Sequence, residues 1–283
     1  MLEQTALMVK LAQRARGLSL GEMPWHKAAI ARNNRLMLDF FMPLIENSSK
    51  FLSRNTSKKT IMDSAFNDVL EADGNITCPE LSPEFVKDLI SNLKNFVFAG
   101  HDTTTTTICW IFKNLQDNPD SLAKLRAEHN EVLGNDQTTA ADQIRQAAHK
   151  LYNLPYTLGV IKETLRLTPV AATLRDGQSG FYLANPGDSF QYHTEGFAIW
   201  DAMPMLHRRA DLWPQPDKFI PERWMVPEGD PLRPHKDAWR PFELGNRNCI
   251  GQELALIELR LVIVLVARRF DIAEAWNEWD VEM

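Results

Sequence analysis

Cys249 lies in the stretch RPFELGNRNCIG, residues 240–251, framed by Phe242, Gly245, Arg247 and Gly251. A helical pattern begins at about Gly251, so the sulfur is expected close to the free backbone N–H groups of a helix N-terminus. Those groups and the helix dipole stabilise a thiolate, the form that binds metal. Gly245 permits a sharp turn and Gly251 lets a flat ligand approach the backbone closely. Arg247 adds a fixed cation suited to a carboxylate. A lone cysteine beside a helix is more often a small buried residue, and the residues around this one are what set it apart.

A second group lies in AGHDTTTTT, residues 99–107. Five consecutive threonines are unusual within a helix, because β-branched side chains lose rotamer freedom there. A threonine hydroxyl can bond the carbonyl one turn back and bend the helix, and Gly100 weakens the same turn, so a local opening is expected. Asp102 next to Thr103 supplies an acid and a hydroxyl, the parts of a proton relay. The alternative is a flawed helix with a solvated aspartate. A third group, Glu163 and Arg166 in ETLR, places opposite charges three residues apart on one helical face. Taken alone, such a pair is an ordinary surface ion pair worth under about 1 kcal/mol.

These residues need elements to position them. Ser82 and Pro83 open a long helical pattern that Asn118-Pro119 stops, and a helix of that span is a rod of about 50 Å carrying Asp102 and Thr103 midway. Before it, helices are expected over residues 7–15, 28–47 and 60–72, with a breaker-rich loop over 73–84. After it, helices are expected over 120–134 and 154–168. Prolines, glycines and tryptophans then crowd residues 169–247, and the short period-2 patches SGFYLANPG and EGFAIW read as strands. The last helix, residues 251–270, is apolar almost all round and so is expected to be buried. No repeat, low-complexity stretch or linker interrupts the pattern. The fold class is mainly α with short β-strands (α+β), one domain over residues 1–283.

Composition excludes several functions. The net charge of −6 gives no basic face for phosphate backbones, so no nucleic acid is expected as a partner. Three well-separated cysteines without a Cys-x-x-Cys exclude the usual zinc spacings and fit a reducing compartment. No apolar run approaches the roughly 20 residues that span a bilayer, and charges scattered along the N-terminus are unlike a signal peptide.

The cysteine stretch resembles the ligand loop of cytochrome P-450 haem-thiolate monooxygenases, Phe-x-x-Gly-x-Arg-x-Cys-x-Gly, at all five fixed positions: Phe242, Gly245, Arg247, Cys249 and Gly251. The segment from Ala99 to Thr103 is similar to the oxygen-activation motif of that family. FIPERW, residues 219–224, resembles its Pro-Glu-Arg-aromatic segment. The resemblance covers roughly residues 80–273 and is closest to fungal members that serve secondary metabolism.

The resemblance implies haem b (iron protoporphyrin IX) as cofactor, with Cys249 as the axial ligand of its iron, Phe242 packed near the sulfur and Arg247 meeting a propionate. Arg175 is implied as a further propionate partner. Thr103 is implied to hold dioxygen and a water, with Asp102 feeding protons. Glu163, Arg166 and Arg223 are implied to form a buried structural triad behind the cysteine loop. Residues 1–80 are implied to be helices that roof the substrate cavity and residues 81–283 the haem-binding core, in a cytochrome P-450 fold incomplete at both ends. The implied reaction inserts one atom of O2 into a lipophilic small molecule, near Asn95, Phe96, Ala99 and residues 170–174. A flavoprotein reductase is implied as electron donor, although acidic and basic residues nearly balance over 207–247. Full-length members are expected at the endoplasmic reticulum membrane, and this chain, lacking an anchor, in the cytoplasm or peripherally bound. Two alternatives are a haem-thiolate isomerase or dehydratase, against which the Asp102-Thr103 pair argues, and a truncated remnant or helical interaction protein without haem.

Overall fold

The structure is a computed structural model that describes residues 24–52, 82–185, 187 and 189–275. The helices expected over 7–15 and 60–72 and most of the loop over 73–84 lie outside the described residues. The chain divides into two compact units, residues 1–99 and 100–283.

In the first unit, α1 spans Pro24–Leu52, and α2, spanning Pro83–Asp117, begins. α1 runs past both ends of the 28–47 expectation. Pro24 opens it with a ring already set for a first helical turn. α1 also continues through Pro43, which cannot donate to the helix ladder. Ser82 caps α2 as expected, its Oγ accepting the Phe85 N–H at 3.2 Å. Phe41 and Ile45 of α1 form one apolar cluster with Leu89, Ile90 and Leu93 of α2, each set spaced three or four apart so that it shares a helical face.

The second unit takes up α2 from Gly100 and continues with α3 (Pro119–Leu133), α4 (Ala140–Gln146), a 3-10 turn (Ala148–Tyr152) and α5 (Pro155–Leu167). The four short strands form two antiparallel pairs, one nested inside the other: β1 (Leu174–Asp176) pairs with β4 (Ala198–Trp200), and β2 (Tyr182–Ala184) with β3 (Gln191–His193). After α6 (Met203–Leu206) come 3-10 turns at Pro221–Trp224 and Gly245–Arg247, then α7 (Gln252–Ala267). Mainly helical content with short strands matches the expected class. α4 was not anticipated, because seven residues are too few to show a helical period.

Four helices meet in the core: Ile111 and Leu115 of α2, Leu125 of α3, Val160, Ile161 and Leu165 of α5, and Leu259 and Ile263 of α7. α5 is the central element, and a distant side chain holds its start. Pro155 stands at its first turn, and the Tyr156 and Thr157 N–H groups donate to the Glu128 carboxylate of α3 at 2.5 and 2.9 Å. A negative charge on free N–H groups at a helix start is favourable twice over, through hydrogen bonds and through the dipole. α7 is buried along Leu256, Leu259, Ile263 and Val264, but its first turn is open: Leu254 is 63% exposed. Its all-round apolar character therefore signals burial only past that turn.

Candidate functional site

Glu163, Arg166 and Arg223 come together as expected, with each side chain 0% exposed. Arg166 donates Nε to Glu163 Oε2 at 3.0 Å and Nη2 to Oε1 at 2.8 Å. Arg223 Nε reaches the same Oε1 at 2.9 Å, joined by the Ile220 N–H at 3.0 Å, while Trp224 Nε1 donates to Oε2 at 3.2 Å. The remaining guanidinium N–H groups are taken by carbonyls: Arg166 by His207, Pro216 and Lys218, and Arg223 by Pro214 and Gln215. A surface ion pair is thus the wrong description; one carboxylate and two forks of donors are satisfied from all sides. The turn at Pro221 reaches α5 because residue 159 is glycine, where a Cβ would lie 2.7 Å from the Pro221 carbonyl oxygen.

Two connections carry this frame to the cysteine stretch, and neither was visible in the sequence. The first is His207, fully buried, whose Nε2 accepts the Arg240 N–H at 3.0 Å. With Nε2 an acceptor, Nδ1 carries the hydrogen and donates to the Arg166 carbonyl at 3.2 Å. The ring is therefore neutral, and burial pushes its pKa down to about 4. The second is a run of aromatic rings: His207, Trp213, Trp224, Trp239 and Phe242, with successive centroids 6.0, 6.0, 5.5 and 5.8 Å apart. Each contact is tilted or edge-to-face, the preferred arrangement for aromatic quadrupoles. Trp239 is also pinned by donating Nε1 to the Lys162 carbonyl of α5 at 3.1 Å. Three tryptophans and one phenylalanine spread over thirty residues show no sequence period, so only the abundance of tryptophan hinted at a role.

Phe242 ends that run and packs against the four-helix core. Its carbonyl accepts the Cys249 N–H at 2.8 Å, closing the loop on itself. Glu243 and Gly245 both take left-handed backbone (φ 61° and 64°), the sharp turn anticipated from the glycine. The Cys249 carbonyl accepts the Gln252 N–H at 3.2 Å, so the cysteine stands just before α7, with Ile250 and Gly251 between. Its thiol is free and exposed. Around it the chain turns apolar side chains outward: Ile250 is 90% exposed, and Leu244 and Leu254 are open as well. Arg247 is exposed, with no ion pair among the described residues. An open thiol in a stretch with exposed apolar side chains and an exposed cation is a donor set suited to a flat apolar group with an acidic edge. These residues fit haem.

Arg175 lies on β1 and gives Nη1 to the Leu174 carbonyl at 3.0 Å, leaving its remaining N–H groups exposed. In α2, the helix is continuous from Gly100 through Thr107, so the expected opening is not seen. The expected back-bond does occur, one turn later than Thr103: Thr107 Oγ1 donates to the Thr103 carbonyl at 2.7 Å. That bond stays within the helix and leaves its ladder intact. Asp102 is 65% exposed and meets His101 Nδ1 at 3.2 Å. Asn95, Phe96 and Ala99 belong to the first unit, with Phe96 exposed.

The Cytochrome P450 family profile matches residues 11–280. The chain belongs to that family, whose cofactor is haem b. It is 37% identical over 249 residues to cytochrome P450 monooxygenase polC of Polytolypa hystricis, covering 87% of this chain and 44% of that one. It is 38% identical over 205 residues to cytochrome P450 monooxygenase acrF of Aspergillus aculeatus, covering 67% and 42%. Mouse cytochrome P450 4A10 is 33% identical, over 66% of this chain and 34% of its own length. The chain thus spans less than half the length of these relatives. Among the described residues no helix is long and apolar enough to cross a membrane.

Proposed function

We propose that the protein of which this chain forms all or part is a haem-thiolate monooxygenase that inserts one oxygen atom from O2 into a lipophilic substrate, in fungal secondary metabolism, with electrons from a flavoprotein reductase. The observation that carries this is the exposed Cys249 thiol at the start of α7, on a loop fastened to a fully satisfied buried frame. The fungal monooxygenases polC and acrF, over a third identical to it, support the same reading. Haem b, when bound, supplies an iron that activates dioxygen.

Every other part belongs to the chain's own residues. The bond from the Cys249 N–H to the Phe242 carbonyl fixes the backbone that carries the sulfur. Arg247 and Arg175 bring guanidinium groups able to pair with carboxylates. Asp102, open to water, would take up protons from solvent for the half-buried Thr103 hydroxyl. The apolar side chains at Leu244, Ile250 and Leu254 exclude water from the sulfur once covered. Reduction under carbon monoxide tests the reading: a red-shifted thiolate band is expected, and Cys249→Ala is expected to lose it. An unchanged band in the variant would remove Cys249 as ligand. Thr103→Ala should keep the band and uncouple electron use from product; unchanged coupling would remove the Asp102-Thr103 relay.

A further inference from the structure

We propose that Asp201 and Glu243 share a single proton and so pin the cysteine loop to the corner that follows β4, which makes Glu243 a positioning residue for Cys249. The inference rests on reading Cys249 as a ligand, and it concerns two carboxyls that this reading leaves unused.

Glu243 follows Phe242, whose carbonyl holds the Cys249 N–H. Its backbone is left-handed at φ 61°, a conformation that costs a residue with a side chain about 1 kcal/mol or more and persists only where the surroundings enforce it. Its side chain is the enforcing group. The carboxylate is 15% exposed and accepts Arg240 Nη2 at 3.0 Å, and the Thr173 side chain lies near it. Its other neighbour is the Asp201 carboxyl. Asp201 itself precedes Ala202, a second left-handed non-glycine residue at φ 48°. Two strained turns therefore face each other through one pair of carboxyls.

Asp201 Oδ1 is buried, and no N–H or O–H donor meets it among the described residues. Two carboxylates in hydrogen-bond contact cannot both ionise cheaply, and an orphaned buried oxygen beside a carboxylate is accounted for once it carries the proton itself. The surroundings say which one does. Burial raises Asp201 and Glu243 raises it further, against the Thr173 and Met203 N–H groups. For Glu243 burial also acts upward, but Thr173 and Arg240 outweigh it and its pKa is lowered. Arg240, the cation in contact with the pair, sits on Glu243. Asp201 is the acid and Glu243 its acceptor. As pH rises through Asp201's raised value the shared proton leaves, two anions face each other, and the corner loosens.

Infrared spectroscopy of the wild-type chain tests this directly. A protonated-carboxyl stretch is expected to persist at pH values where free carboxyls are ionised, and to vanish in Asp201→Asn and in Glu243→Gln. Asp201→Asn retains a donor that cannot be lost, so its melting temperature should gain on wild type as pH rises, with the two alike in weak acid. Asp201→Ala should be destabilised throughout. In a Cys78→Ser, Cys109→Ser background, Asp201→Ala should speed maleimide alkylation of Cys249 severalfold, and Asp201→Asn should restore the wild-type rate. Absence of the infrared band, parallel pH dependence in wild type and Asp201→Asn, or equal alkylation in all three chains would overturn the proposal. None of these measurements needs haem, so a failure of the carbon monoxide test is distinguishable from a failure here.

Discussion

The triad and the cysteine loop are two kinds of polar structure in one unit. At Glu163 five donors converge on a carboxylate fully withdrawn from water, and nothing is left over. At Cys249 the thiol is free, the neighbouring apolar side chains point outward and Arg247 has no ion pair among the described residues. The frame has the features of a part whose only task is to hold still, and the loop those of a part that completes itself with something else. Buried charges tolerate no vacancy, since an uncompensated ion in a low-dielectric interior is expensive. A ligand site must tolerate one until its ligand arrives. His207 and the aromatic run join the two, so rigidity made in the frame is delivered to the loop.

The contrast breaks most severely at Glu163. Glu163→Ala leaves two buried guanidinium groups without their carboxylate and should cost about 3–5 kcal/mol, a large share of a domain's stability. Urea unfolding followed by circular dichroism would show this as a midpoint near zero denaturant. A wild-type midpoint would mean the triad is solvated in solution.

His207→Ala comes next. It removes the partners of the Arg240 N–H and the Arg166 carbonyl, worth about 1–3 kcal/mol for each buried group left unpaired. The wild-type chain should also show the histidine in its pH dependence. His207 is neutral in the fold, with a pKa lowered to about 4 by burial, so its contribution is complete above the ordinary value of 6.5 and is lost as pH falls from there towards 4. His129, buried and lowered to about 3, acts in the same direction. Melting temperatures between pH 7 and 4 should fall more gently in His207→Ala than in wild type; parallel curves would show that the ring is not held neutral.

Trp239→Phe sharpens the role of the aromatic run. It keeps a ring but loses the hydrogen bond to Lys162, and should cost about 1–2 kcal/mol. A loss of that size in thermal unfolding, together with faster alkylation of Cys249, would show that the run steadies the loop. The smallest effect on stability is expected at the proposed haem ligand. Cys249→Ser should unfold within about 0.5 kcal/mol of wild type, because an exposed thiol without side-chain partners supports nothing else. A much larger loss would make the cysteine part of the frame.

Much of the frame was legible in the chain. Ser82 and Asn118-Pro119 mark the limits of α2, and SGFYLANPG and EGFAIW fall on β2 and β4, because caps, prolines and alternation act over a few residues. The cysteine loop was legible because turn, cation and thiol lie within ten positions. The opening expected at Gly100–Thr107 did not appear: the Thr107 hydroxyl bonds back to the Thr103 carbonyl, yet the helix runs on unbroken. α4 and the inward bias of α7 beyond its first turn were settled by packing against other helices.

The sequence by itself determined the local chemistry: the helix starts and stops, the left-handed turn at Gly245, the thiol placed before α7, and the Glu163–Arg166 spacing. Only the tertiary structure decided what that chemistry is for. Arg223 reaches Glu163 across sixty positions, Arg240 meets His207 across thirty-three, and Glu243 meets Asp201 across the gap between two turns. Such contacts depend on which surfaces exclude water together, and a carboxyl becomes a shared proton, or a histidine a neutral pin, only after burial has removed the solvent that would otherwise ionise it.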